Sequence, residues 1–125
     1  MSEKIFYKEW LRLEKKLFGI LAMLADQGGA YQGTLTGICR YLVPKVNKVQ
    51  TTQRNTIKDS IQGLIEQKLI SCNKVGNTYK IQLIPQQTEI RIPDNVVETL
   101  KKHEYKENVA WEQVLKVYLW IINNE

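Results

Sequence analysis

Residues 50–70 read QTTQRNTIKDSIQGLIEQKLI, and the fold turns on this stretch. It starts with small polar residues, becomes helical in pattern, and ends in a β-prone pair. Ile57, Ile61, Leu64 and Ile65 recur at i, i+4, i+7 and i+8, which makes one apolar helix face. At about 100° per residue, the opposite face carries Thr52, Asn55, Thr56, Asp59 and Gln62. Arg54 and Lys58 flank that row. Burial needs only the apolar stripe. A row of amides and hydroxyls beside two cations can also read base edges while gripping phosphates. An ordinary amphipathic surface helix has a polar outer face too, so the flanking chain must separate the two readings.

Charge distribution favours the first. The net charge is +5, and the surplus is segregated. Residues 44–80 hold seven Lys/Arg (Lys45, Lys48, Arg54, Lys58, Lys68, Lys74 and Lys80) against Asp59 and Glu66. The stretch before them carries +2 and the stretch after them −2. A polyanionic partner is the simplest reason for a basic middle third. At 125 residues, 43% hydrophobic and 25% charged, the chain has the make-up of one soluble globular domain with room for an extension. No apolar run reaches a membrane span, and MSEKIFYKEW lacks the apolar block of a signal peptide. A cytoplasmic protein with no membrane partner is expected.

Downstream of the helix, Leu69–Asn73 and Thr78–Leu83 are β-prone runs around Gly76-Asn77, a hairpin turn signal, and Pro85 ends the second. Upstream, KVNKVQ is a basic loop, with Thr51 and Thr52 as candidate N-caps of the third helix. Before the loop, Leu35, Ile38, Cys39 and Leu42 form the inner face of a short helix over about 35–42. Thr34 or Thr36 can cap it, Pro44 stops it, and Cys39 becomes core filler. Ala30–Gln32 is a short strand. Residues 8–26 read as a first long helix through Trp10, Leu13, Leu17, Leu21 and Leu24, ended by Gly28-Gly29.

The order is helix, short strand, helix, basic turn, helix, β-hairpin. In TLTGICRYL, TTQRNTIKDSIQGLIEQKLI and SCNKVGNTYKIQLI the chain resembles the winged helix-turn-helix family over about residues 9–85. The family often has Gly where this chain has Lys68, at the passage from recognition helix to wing. The layout is similar to small replication-initiation and regulatory proteins of plasmids and phages. The resemblance implies an α+β, mostly α fold: a winged helix-turn-helix domain over 1–87 with a C-terminal helical extension over 88–125. It also implies sequence-specific binding of double-stranded DNA in plasmid or phage replication, DNA transfer or transcription control. The third helix would enter a major groove. Asn55 would pair with adenine, supported by Gln62 or Thr52, and Arg54 would reach guanine or a phosphate. Lys48, Thr51 and Lys58 would contact phosphates, and Lys74, Asn77 and Lys80 would set the wing along the backbone or minor groove. Two other roles stay open: an adaptor for replication or transcription proteins, and a single-stranded DNA accessory protein. The latter needs stacking aromatics, for which Tyr41 and Tyr79 are the candidates.

Beyond residue 87, Ile90 and Ile92 suggest one more strand, and Asp94 precedes a helix with Val96, Val97 and Leu100 inside. A last helix runs from about Asn108, its cap, to Ile122. Trp111, Leu115, Tyr118, Leu119 and Ile122 share one face of it, while Val109, Val117 and Trp120 lie toward the other. A helix with two apolar faces needs two covers. Val109, Val117 and Trp120 are therefore expected at a homodimer interface, the alternative being an intrachain cover by Ile90–Leu100. No catalytic constellation, cofactor motif or metal cluster is visible. His103, the sole histidine, lies in the solvated run LKKHEYKE; Cys39 and Cys72 form no CxxC and are expected as free thiols. A binding role, not an enzymatic one, is expected.

Overall fold

The computed structural model describes residues 2–43, 48–103 and 110–123. The chain is a mixed α+β fold with two small antiparallel sheets. Strand β1 (Glu3–Tyr7) runs into a 3-10 turn over Lys8–Arg12, followed by α1 (Lys15–Asp26), β2 (Ala30–Gly33), α2 (Leu35–Leu42) and α3 (Thr51–Glu66). Strands β3 (Ile70–Val75) and β4 (Thr78–Leu83) form the hairpin, and β5 (Glu89–Pro93), α4 (Asp94–Lys102) and α5 (Trp111–Asn123) complete the order. One sheet has the order β2-β4-β3; the other pairs β1 with β5. Among the described residues, no helix is long and apolar enough to cross a membrane.

The expected long helix over 8–26 is two elements. Leu13 (φ −78°, ψ 153°) and Glu14 (φ −66°, ψ 160°) are extended and separate the 3-10 turn from α1. Lys116 of α5 donates to the Leu13 carbonyl that this break releases. Trp10 before the break and Leu13 within it are both buried, so the apolar spacing continues through a break it does not report. Trp10 packs edge-on against Phe6 (centroids 6.2 Å apart) and Tyr7 (5.2 Å), both from the unforeseen β1.

The core runs across the boundary read at residue 87. Phe6, Trp10, Leu21, Leu64, Ile81, Ile92, Val97, Leu115 and Leu119 belong to one buried cluster. Strand β5 pairs with β1 along its length, from Glu3 opposite Pro93 to Tyr7 opposite Glu89. The C-terminal third thus closes over the first residues of the chain.

Helix ends follow the local chemistry. At the end of α1, Gly28 (φ 83°) and Gly29 (φ 97°) turn left-handed, and Gly29 N–H bonds the Leu24 carbonyl at 2.7 Å. This is the Schellman closure glycine favours. At the end of α3 the same closure forms around Lys68, at φ 62°. Leu69 N–H reaches the Leu64 carbonyl at 3.0 Å, and Lys68 N–H the Ile65 carbonyl at 3.0 Å. An L-residue held there costs roughly 1–2 kcal/mol, offset in part by the extra unfolded-chain entropy of glycine. Lys68→Gly should therefore stabilise the fold by about 1 kcal/mol, seen as a few degrees' rise in Tm. An unchanged or lower Tm would show that the Lys68 backbone is not strained.

The cap of α3 is Gln50 rather than Thr51 or Thr52, which both lie inside the helix. Gln50 is extended (φ −76°, ψ 152°), and its N–H donates to the Gln53 side chain at 2.9 Å. Thr34 caps α2 by accepting from Gly37 N–H at 3.1 Å. Cys39 is buried in α2, and it and Cys72 are free thiols. On α5, Leu115 and Leu119 are buried, while Val117 and Trp120 are each 58% exposed and Ile121 56%. Trp120 is thus more than half exposed, beside Val117 and Ile121. Val109 and the expected cap Asn108 fall outside the described residues.

Candidate nucleic-acid interface

Helix α3 packs Ile61 and Leu64 into the core and leaves Thr51, Arg54, Asn55 and Lys58 exposed at i, i+3, i+4 and i+7. That stripe faces the hairpin. A groove of about 550 Å³ lies between them, lined on the α3 side by Thr51, Arg54, Asn55 and Lys58. The hairpin contributes Lys74, Asn77 and Tyr79, and the start of α2 contributes Thr34, Leu35 and Thr36. Among the described residues of this lining there are three cations and no carboxylate. The N-terminal ends of α2 and α3 also reach it, adding partial positive charge from their unpaired N–H groups.

Each side of the groove is held by local packing. The hairpin turns over Gly76-Asn77 in two residues, with Val75 opposite Thr78 and Gly76 at φ 62°. A positive φ at the first loop position is the glycine-demanding geometry that matches strand twist. This register sets Lys74 opposite Tyr79, and Lys74 Nζ lies 5.4 Å from the centre of the Tyr79 ring. Tyr31 of β2 secures the start of α2. Burial pushes its phenol up, so it remains a donor, and it bonds the Thr34 carbonyl at 2.9 Å. A Cβ on Gly37 would come within 2.4 Å of the Tyr31 oxygen. The small residue there is what lets the ring reach Thr34.

Of the sequence-predicted residues, Thr51, Arg54, Asn55, Lys58, Lys74 and Asn77 meet in this groove. Lys48, Thr52 and Gln62 are exposed but do not line it, and the Gln62 amide donates to Glu66 at 3.4 Å. Lys80 sits opposite Gln32 and Asn73. Strand alternation places it on the sheet face away from buried Tyr79 and Ile81, and so away from Lys74 and the groove. Tyr79, a candidate stacking aromatic in the sequence, also lines the groove, as do Thr34, Leu35 and Thr36, which the sequence does not mark as groove residues. The two threonines appear in the sequence only as cap candidates, and a helix start aimed at a neighbouring helix leaves no local pattern.

No protein-family model, curated protein or solved structure matches the chain. The chemistry of the groove is that of an anion-binding cleft edged by hydrogen-bonding side chains. The cations would hold phosphates, and Asn55, on the exposed stripe of α3, can form a bidentate pair with a base edge.

Proposed function

We propose that this chain is a winged helix-turn-helix protein that binds duplex DNA sequence-specifically, with α3 in the major groove and the β3–β4 hairpin as its wing. The carrying observation is the groove that brings Arg54, Asn55 and Lys58 of α3 against Lys74 and Asn77 of the hairpin. The element order and the β2-β4-β3 sheet agree with that fold. The role is one of binding, without catalysis. By resemblance, the setting is replication, transfer or transcription control on a plasmid or phage. Duplex DNA ranks above a single strand because Tyr41 is tied to Asp26 and Tyr79 is buried beneath Lys74. Neither ring offers a stacking platform.

Selection of bound fragments from random duplex DNA tests this reading, and an enriched motif is expected. Asn55→Ala should relax one base pair of that motif at a cost of roughly 1–3 kcal/mol. Lys58→Ala should weaken all sequences alike and flatten the salt dependence by about one unit of slope. Lys74→Ala should lower affinity with the motif intact. Equal binding by wild type and all three variants would end the proposal.

The same reading extends to a homodimer through α5. Val117, Trp120 and Ile121 form an exposed apolar strip, and elements packing on α5 include α1, α4 and the 3-10 turn. Two copies joined there would present two α3 helices to two half-sites. Trp120→Glu should turn a dimer into a folded monomer with weaker DNA binding, as read by sedimentation and gel shift. A wild type that sediments as a monomer at high concentration would remove the dimer and leave the groove untouched.

A further inference from the structure

We infer that Tyr41 is a positioning residue for the α2–α3 pair, and that Asp26 ties its pose to the C-terminal third of the chain. The inference rests on the groove reading above for its functional consequence, but its geometry stands apart from it. Tyr41 lies in the last turn of α2, before the connection to α3, and its hydroxyl donates to Asp26 Oδ2. The same oxygen accepts from Lys101 Nζ of α4 at 2.8 Å. Lys4 Nζ of β1 stands 3.3 Å from the other oxygen and donates to the Asp26 backbone carbonyl at 2.6 Å. One carboxylate, with its side chain only 4% exposed, therefore joins β1, α1, α2 and α4. Lys101 in turn reaches Glu98 at 3.5 Å and lies 6.0 Å from the ring centre of Trp111, the first residue of α5.

Helix α2 has only eight residues and is held at both ends. Tyr31 and the Thr34 cap fix its start, where Thr34, Leu35 and Thr36 line the groove. Tyr41 fixes its end. Its middle is anchored by buried Ile38 and Cys39. Releasing one end leaves a short rod free to tilt about that middle, which shifts the opposite end and the α3 helix packed on it. Neither Asp26, Tyr41 nor Lys101 lines the groove. Their effect on a ligand there must pass through α2.

The test uses the full chain and three variants: Tyr41→Phe, Lys101→Met and Lys101→Arg. Amide hydrogen exchange is followed in α2 and α3, and duplex affinity is measured against salt with the selected DNA fragment. Tyr41→Phe keeps the ring and should speed exchange in α2 and the first turns of α3. Its affinity should fall about tenfold, within the usual range of coupling between sites, with the salt slope unchanged because no phosphate contact is lost. Lys101→Met, on another helix, should speed exchange in α2 as well, and Lys101→Arg should restore it. A purely local packing role for Lys101 would confine the change to α4. Unchanged exchange in α2 and α3 for both Tyr41→Phe and Lys101→Met overturns the inference. A wild type that fails to bind duplex DNA defeats the groove reading instead, and the exchange data still decide whether Tyr41 positions the helices.

Discussion

Asp26→Asn should destabilise the fold by roughly 3 kcal/mol while leaving the side-chain volume nearly unchanged. Breaking a buried ion pair by removing one partner costs about 3–5 kcal/mol, because the remaining charge stays desolvated. The lower figure applies because the lysine side chains are 20% (Lys4) and 29% (Lys101) exposed and can turn their heads toward water. Burial alone would push the Asp26 carboxyl up. The Lys101 and Tyr41 hydrogen bonds and the charges of Lys101 and Lys4 overcome it and hold the carboxyl below its ordinary value. A depressed carboxyl contributes stability above its unfolded pKa of about 3.8 and loses it as pH falls through the folded value. The variant should thus be least stable relative to wild type near neutrality and approach it in acid. Urea unfolding at pH 7 and pH 3 checks both parts. A difference equal at the two pH values would mean that charge is not what Asp26 contributes. Combining Asp26→Asn with Lys101→Met should cost less than the two changes added, since each change alone strands the charge of the other residue.

Much of this architecture was legible because it is written in short-range periodicity. The apolar stripe of α3, the alternation in β4 and the Gly76-Asn77 turn are each decided within a dozen residues. The hairpin register was legible too. A two-residue turn that pairs Val75 with Thr78 forces Lys74 opposite Tyr79 and Lys80 opposite Asn73. The two lysines are an even number of residues apart, which on one strand would mean one face. They lie on two strands, and the turn between them puts them on opposite faces. Of the two, Lys74 lines the groove and Lys80 does not.

What was not legible depends on partners far along the chain. Strand β1 is five residues long and gains its identity only from β5, with Tyr7 opposite Glu89. The split of residues 8–26 falls at Leu13 and Glu14, between the 3-10 turn that leaves β1 and the start of α1. The apolar spacing passed over the break, since Trp10 and Leu13 are buried in either geometry. Asp26 looked like an unremarkable residue at a helix end. Its partners are Lys4, Tyr41 and Lys101, which are 22, 15 and 75 residues away. No local pattern links an acid to cations so distant. In the groove, the stripe on α3 could be read directly, whereas the contribution of Thr34 and Thr36 required knowing where the start of α2 points.

Glu112→Gln should stabilise the protein by up to about 3 kcal/mol at pH 8 and have little effect near pH 4.5. Glu112 is in the first turn of α5, where the helix dipole and its own backbone N–H favour the ionised form. Burial outweighs both. The residue is 6% exposed, and desolvation raises its carboxyl from 4.5 to about 7, with the nearby Asp26 charge adding to the rise and Lys15 opposing it. A carboxyl whose folded pKa is raised binds its proton more tightly in the folded chain. Its contribution is therefore most favourable below the unfolded value of about 4.5, falls as pH rises, and is lost by about pH 7. Each pKa unit corresponds to about 1.4 kcal/mol, which gives the size quoted. Gln keeps the shape and has no proton to lose, so its curve should lack this decline. Asp26 acts in the opposite sense, losing stability in acid, so these two groups both favour the fold only in the window between their transitions. Urea unfolding of wild type and Glu112→Gln from pH 4.5 to 8 should show two curves that diverge from about pH 5 and run level above about pH 7. Parallel curves would mean that Glu112 ionises in the folded chain as freely as in the unfolded one, through water or a cation that reaches it at the start of α5.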